Sequence, residues 1–195
     1  MGYHDIYKSC QDDPEAYWLE QSKAIDWEQA PRQALFEKGN DLYEWFADAK
    51  VNACYNAVDR HVENGRADQV AIIHDSPITG TQTKITFAEL QTRVAAIAGV
   101  LQANGVGKGD RVIIYMPMVP EALEAMLACA RIGAVHSVVF GGFASNELAV
   151  RINDCTPKAI IAASCGLEPA RVVAYKPLLD GAIEQADHKP DFCLI

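Results

Sequence analysis

Two short segments of the chain carry residue types that could hold a nucleotide. In the first, Gly141 and Gly142 follow Phe140 directly. Because glycine lacks a Cβ, another stretch of backbone or a flat ligand can approach closely here, and the Phe140 ring could offer a face to a purine base. The residue types alone favour a plainer structure, which is a tight turn with Phe140 and Phe143 in the core.

The second segment places Arg171 directly after Glu168, Pro169 and Ala170. A guanidinium presents its donors in a planar fork that matches the oxygens of a phosphate. Arginines in loops are more often solvated surface residues, and the segment by itself favours that interpretation.

Two other segments have the composition of phosphate-binding loops without the spacing. Gly105-Val-Gly-Lys-Gly109 has Gln102 where a P-loop needs its first glycine, and Gly109 where it needs Ser or Thr. It therefore predicts a helix cap and a turn. Residues 79–84 contain hydroxyls and a lysine between two strand signals, so they predict a hairpin loop.

The common catalytic and metal-binding motifs do not occur in this sequence. It has no Gly-x-Ser-x-Gly elbow, no His-Glu-x-x-His motif and no Cys and His pair at metal spacing. We therefore predict no catalytic residue and no metal site in this chain. His136, in an apolar strand, is interpreted as a core histidine, and Glu121 and Glu124 as the solvated edge of one helix.

The hydrophobic pattern predicts an α/β fold with a doubly wound, mostly parallel sheet over residues 66–195, because strand and helix signals alternate there. Residues 1–65 hold all three tryptophans and are predicted to form a helical, aromatic extension before this domain. Strands are predicted at 70–74, 84–87, 111–116, 134–140, 158–163 and from 192, and helices at about 13–25, 54–63, 87–103, 120–132, 145–154 and 175–186. Residues 164–171 are predicted to be a loop.

Ligands of such sheets bind at the carboxyl ends of the strands. This rule points to three places, which are residues 116–117, residues 140–142 and the loop after Ala163. The last predicted strand has no helix after it, and we expect the natural protein to continue.

Composition limits the partners. A net charge of −9 argues against a nucleic-acid partner. The sequence contains no apolar segment long enough to span a membrane, so we expect no membrane partner. None of the six cysteines forms a Cys-x-x-Cys pair, which favours a reducing compartment. We expect a cytoplasmic location and small-molecule partners.

Residues 115–122, Tyr115-Met-Pro-Met-Val-Pro-Glu-Ala122, and the following residues 125–143 closely resemble acetyl- and propionyl-CoA synthetases of the adenylate-forming superfamily. The resemblance covers the whole chain, with residues 1–65 similar to the N-terminal extension and the rest to the first part of the large N-terminal domain. Residues 75–80 and 164–180 resemble the propionate type more than the acetate type.

The resemblance implies an ATP-dependent acyl-CoA ligase. A carboxylate attacks the α-phosphate of ATP, with Mg²⁺ as counter-ion, and gives an acyl-adenylate and pyrophosphate; the thiol of coenzyme A then takes the acyl group and releases AMP. The family's ATP-phosphate loop, acyl pocket and C-terminal lysine would lie beyond residue 195, so we expect the isolated chain to be inactive. The alternatives are an acetate-type synthetase, a non-catalytic module that binds coenzyme A, and an unrelated flavodoxin-like domain.

The resemblance also assigns a coenzyme A site. It places Phe140, Gly141 and Gly142 beside the adenine and Arg171 on the 3′-phosphate. The acetate-type loop has a further arginine where Glu168 stands, so contact from Glu168, Pro169 and Ala170 is expected to be mostly through the main chain. The resulting candidate residues are Phe140, Gly141, Gly142, Glu168, Pro169, Ala170 and Arg171.

Overall fold

The computed structural model describes residues 2–40 and 42–195. These residues form two compact units that divide between Asn52 and Ala53. The domain boundary predicted near residue 65 stays a prediction.

The first unit contains two helices and a hairpin, which are α1 (Tyr3–Asp12), α2 (Pro14–Ser22), β1 (Leu35–Gly39) and β2 (Leu42–Trp45). Asp13 caps α2 by accepting a hydrogen bond from the Ala16 N–H at 3.0 Å. Pro14 has no N–H, and this is tolerated in the first turn because an N–H there has no acceptor within the helix. The helix predicted from residue 13 is confirmed, although it ends at Ser22. Helix α1 and the β1–β2 hairpin were not predicted.

Aromatic rings hold α2 against the hairpin of the first unit. The ring centroids of Trp18 and Trp45 lie 5.3 Å apart in an edge-to-face contact. Phe46 lies 5.8 Å from Trp45 and 5.4 Å from Trp27. Such ring pairs stabilise a fold beyond the area they bury, so the aromatic character of this segment serves a compact cluster.

The second unit supplies the larger set of elements. Its strands are β3 (Val70–Ser76), β4 (Thr81–Thr86), β5 (Arg111–Met116), β6 (Val135–Phe140), β7 (Ala159–Ala162), β8 (Cys165–Glu168), β9 (Arg171–Ala174) and β10 (Phe192–Leu194). Its α-helices are α3 (Phe87–Ala103), α4 (Pro120–Ile132), α5 (Ser145–Cys155) and α6 (Tyr175–Gln185), and two π-helical turns precede them at Tyr55–Asp59 and Val62–Arg66.

The central sheet has four parallel strands in the order β10-β7-β5-β6. Alternate side chains of β5 enter two different cores. Val112 and Ile114 pack in the core formed with α3 and α4, whereas Ile113 and Tyr115 pack in the core formed with α5 and α6. All four are fully buried, which explains the unbroken apolar run of this strand. The predicted doubly wound, mostly parallel α/β sheet is confirmed.

Two antiparallel hairpins, β3–β4 and β8–β9, accompany this sheet. The first confirms the hairpin predicted around residues 79–84. The second corrects the sequence prediction, since residues 165–168 form β8 rather than a loop and Arg171 begins β9. Residues 165–168 include Gly166 and contain no β-branched or aromatic residue, so they carry no clear strand signal.

Both ends of α3 are capped by the residues that the sequence pattern indicates. Thr86 Oγ1 accepts from the Glu89 N–H at 3.3 Å, and Glu89 accepts in return from the Thr86 N–H at 2.8 Å. The helix ends at Ala103 with Asn104 as its C-cap, and the following Gly105 has a φ of 81°. Residues 105–109 therefore form a helix cap and a turn, as predicted.

Asp59 fastens the first π-helical turn to α3 and α4. Its buried carboxylate accepts from Gln91 Nε2 of α3 and from Arg131 Nη1 of α4, each at 2.8 Å. Hydrogen bonds to a buried charge are among the stronger polar contacts of a protein, so they fix this turn on the two helices.

Two interpretations of single residues are wrong. Glu124 is not solvated: it is 3% exposed and pairs with Arg93, whose Nη1 lies 3.2 Å from Glu124 Oε1. His136 is exposed rather than buried, because β6 is an outer strand of the described sheet and this residue is not covered.

Candidate functional site

A cleft of about 870 Å³ opens at the carboxyl ends of β5 and β6. It is lined by Met116 and Pro117 after β5, by Phe140 and Gly141 at the end of β6, and by Cys165 of β8. The structure therefore brings together the three places at which the sequence predicted a ligand.

The 140–142 turn presents its aromatic ring to solvent. Phe140 is 68% exposed, so it does not lie in the core as the plainer interpretation held. Phe143 does pack inward, with its ring 5.8 Å from that of Phe140 and under the guanidinium of Arg151 at 4.8 Å. An exposed Phe140 ring at the mouth of a cleft can stack on a flat base.

The two glycines of this turn are required for different reasons. A Cβ on Gly141 would lie 2.7 Å from the Met116 carbonyl oxygen, closer than real Cβ atoms come to other atoms. Gly142 has a φ of 94°, a conformation that residues with a side chain rarely adopt. The turn therefore approaches the end of β5 so closely that a larger residue at position 141 would displace it.

The β8–β9 hairpin carries the charged candidates. Glu168 lies opposite Arg171 across the Pro169-Ala170 turn, and Arg171 Nε donates to Glu168 Oε2 at 2.7 Å. This carboxylate raises the pKa of the Arg171 guanidinium above its usual value, and both side chains stay exposed. The charge of Arg171 is therefore accessible to an anion, with a competing carboxylate beside it.

The candidate residues do not all enter the cleft. Phe140, Gly141 and Glu168 line it, whereas the other four lie outside its lining. Those four are Gly142, Pro169, Ala170 and Arg171. A ligand that reached both groups would lie across the rim of the cleft, with one end on the Phe140 ring and one on the hairpin.

Tyr175, which was not predicted as a site residue, lies between the two segments. This residue begins α6, is buried and lines the cleft. Its ring lies 5.2 Å from that of Tyr115, and its hydroxyl reaches both Gly141 and Gly166. No local pattern marks it, because Gly141 is 34 residues away in the sequence.

The hydroxyls of residues 79–84 were noted in the sequence and assigned to a hairpin loop, but their place in the cleft, in a row of polar side chains on the β3–β4 hairpin, was not predicted. His74 and Ser76 of β3 lie opposite Thr83 and Thr81 of β4, and all four line the cleft. Thr79, in the turn, contacts Thr81 through their hydroxyls at 2.6 Å. The spacing of two between Thr81 and Thr83 was a signal that their side chains share one face of the strand.

Within residues 2–40 and 42–195, no cluster of three or more His, Cys, Asp or Glu side chains is arranged to hold a metal ion. The helices in the described part of the chain are each too short or too polar to cross a membrane.

Two family models match the chain. Residues 58–191 match the AMP-binding enzyme family, and residues 3–57 match the acetyl-coenzyme A synthetase N-terminus. The first match covers more than half of the chain, and the parallel α/β sheet described above agrees with it. The chain belongs to the AMP-binding enzyme family, and the resemblance noted in the sequence is confirmed.

Similar proteins extend this result over nearly the whole chain. An uncharacterized protein of Pseudomonas aeruginosa is 56% identical over 183 residues, which are 94% of this chain and 29% of that protein. The mitochondrial acyl-CoA synthetase short-chain family member 3 of Bos taurus is 48% identical over 99% of this chain and 28% of its own length. The propionate–CoA ligase of Escherichia coli is 42% identical over all 195 residues, which are 31% of that ligase. The chain thus spans less than a third of each of these relatives.

Proposed function

We propose that this chain is the N-terminal part of an ATP-dependent short-chain acyl-CoA ligase, and that it binds the nucleotide of coenzyme A. The observation that carries the proposal is the position of the exposed Phe140 ring and the Arg171 hairpin at the carboxyl ends of parallel strands. That position is where sheets of this class hold ligands.

The proposed reaction converts propionate, ATP and coenzyme A into propionyl-CoA, AMP and diphosphate. A carboxylate oxygen of propionate bonds to the α-phosphorus while the bond to the diphosphate breaks, which gives propionyl-adenylate. The coenzyme A sulfur then bonds to the acyl carbon after its proton is lost, and AMP leaves with the electrons of the broken C–O bond. ATP with its Mg²⁺, propionate and coenzyme A are the proposed small-molecule partners.

The residues of the cleft rim fit a nucleotide with a phosphate. The Phe140 ring offers a stacking face, and the missing Cβ at Gly141 lets the turn lie against the end of β5. The exposed guanidinium of Arg171 would receive the 3′-phosphate, with main-chain contact from Pro169 and Ala170 at the turn. Glu168 opposes that anion, so this site is expected to bind the phosphate less strongly than one with a second arginine.

Propionate is proposed rather than acetate for two reasons. Residues 75–80 and 164–180 resemble the propionate type, and one relative that matches all 195 residues is named a propionate–CoA ligase. Both segments supply side chains to the cleft, including Ser76, Thr79 and Cys165. A cytoplasmic location is part of the same proposal.

The experiment that tests this function is an assay of the complete gene product for AMP release with ATP, coenzyme A and either propionate or acetate. The proposal expects AMP and acyl-CoA in equal amounts, with a higher kcat/KM for propionate. A higher kcat/KM for acetate would contradict the choice of substrate, and no AMP with either acid would remove the ligase proposal.

The isolated 195-residue chain is expected to give no acyl-CoA, because the resemblance assigns the ATP and acyl sites to later residues. Release of diphosphate that depends on propionate would overturn this expectation. The second candidate is a module that binds coenzyme A without catalysis. It is favoured if the native product has a mass of 21.3 kDa and binds coenzyme A.

A further inference from the structure

Tyr175 is anchored at the start of α6. Its backbone N–H donates to the Ser164 carbonyl oxygen at 2.9 Å, and that of Lys176 donates to the same oxygen at 3.2 Å. The residue is 5% exposed and packs in the core of α5 and α6. The backbone thus fixes the direction from which the Tyr175 ring reaches the cleft.

Two glycines make space for the Tyr175 hydroxyl. A Cβ on Gly166 of β8 would lie 2.3 Å from this oxygen, and a Cβ on Gly141 would lie 2.7 Å from it. A phenylalanine ring would need less of this space, because it ends before the oxygen. The hydroxyl therefore occupies a position that residues from two separate segments leave open.

This hydroxyl forms no hydrogen bond within the described residues, 2–40 and 42–195. The neighbouring Tyr115 gives the contrast, since its hydroxyl donates to the Phe143 carbonyl oxygen at 2.8 Å. The fully enclosed side-chain oxygen without a partner in the described residues is Asp48 Oδ1 and not this hydroxyl, so the Tyr175 hydroxyl is open to the cleft that the residue lines. A tyrosine at such a place buries its ring and keeps its polar tip wet. A lining residue with an unused donor has that donor available for a ligand.

We propose that the Tyr175 hydroxyl donates a hydrogen bond to the nucleotide of coenzyme A where it crosses from the 140–142 turn to the β8–β9 hairpin. This inference rests on the proposed function. Tyr175 touches both segments, so a ligand that spans them passes its hydroxyl. Burial raises the pKa of the Tyr175 phenol, so the group keeps its proton and remains a donor at neutral pH.

The test is calorimetric titration of coenzyme A into the complete gene product and its Tyr175→Phe variant, together with the thermal midpoint Tm of each. We expect the dissociation constant to rise about fivefold to tenfold, as for loss of one hydrogen bond. The Tm should not fall, because the removed oxygen has no partner in the described protein. The KM for coenzyme A should rise while the KM for ATP does not.

Tyr115→Phe is the matched control, because it removes the same atom from the adjacent ring. That variant loses the bond to Phe143 and is expected to lower the Tm. Equal coenzyme A affinity in Tyr175→Phe and wild type would overturn the inference while the proposed function stood. A fall of Tm in Tyr175→Phe that matches its loss of affinity would assign the residue a structural role instead. Wild-type protein that binds no coenzyme A would overturn both proposals.

Discussion

Arg171 and Glu168 face each other across the two-residue turn of the β8–β9 hairpin, with Arg171 Nε 2.7 Å from Glu168 Oε2. Their side chains are 71% and 50% exposed, respectively. An exposed ion pair of this kind adds little to stability, so an incoming phosphate can exchange for the carboxylate at small cost. The pair therefore sets how strongly the hairpin attracts an anion.

Glu168→Gln is expected to tighten coenzyme A binding by about twofold to fivefold, because it releases Arg171 and removes a negative charge from the phosphate site. Calorimetric titration at low ionic strength measures this, since salt screens exposed charges. Coenzyme A without its 3′-phosphate is the control ligand, and its affinity should change much less. Weaker binding of coenzyme A to the variant would contradict the proposed position of the phosphate.

Gly141→Ala is expected to destabilise the protein by about 1–3 kcal/mol, because the new methyl group would meet the Met116 carbonyl and force the 140–142 turn away from β5. Coenzyme A affinity should fall with it, since the Phe140 ring moves with the turn. Urea unfolding and titration measure the two effects.

Gly99→Ala is the control for that substitution. Gly99 lies within α3, and a Cβ there would meet no atom within 4 Å. It is expected to stabilise the protein by about 0.5–1 kcal/mol, because alanine favours helix over glycine. Equal effects at the two positions would show that the close approach at Gly141 does not constrain the turn.

Glu124 is expected to make stability depend on pH. Burial raises its pKa in the folded protein above the ordinary value of 4.5, so the folded state holds this proton more tightly than the unfolded state. The contribution of protonated Glu124 to the free energy of unfolding is complete below pH 4.5, and it is lost as the pH rises through the higher pKa of the folded state.

The measurement is urea unfolding of wild type and Glu124→Gln between pH 4.5 and 7. The stability of wild type relative to the variant should fall as the pH rises over this range. A relative stability that increased with pH would mean that Arg93 lowers the folded pKa more than burial raises it.

Elements with a strong local pattern were predictable from the sequence. The apolar run of β5 indicated a strand covered on both faces, and the Thr86 and Glu89 pair indicated the start of α3. The meeting of strand ends at one edge follows from parallel topology, so the location of the cleft was predictable as well.

Features that depend on partners distant in the sequence were not predictable. Glu124 resembled Glu121 on the same helix, and only Arg93, from α3, makes its burial tolerable. His136 lies in an apolar strand whose outer position no local pattern reveals. Tyr175 depends on Gly141 and Gly166, which a single sequence does not connect with it.

The position of the 3′-phosphate is tested most directly by four dissociation constants, measured for coenzyme A with and without this phosphate on wild type and on Arg171→Ala. If Arg171 holds that phosphate, removing the phosphate should weaken binding to wild type about tenfold or more and to Arg171→Ala less than about twofold. An equal loss in both proteins would contradict the account, because the phosphate would then bind without Arg171.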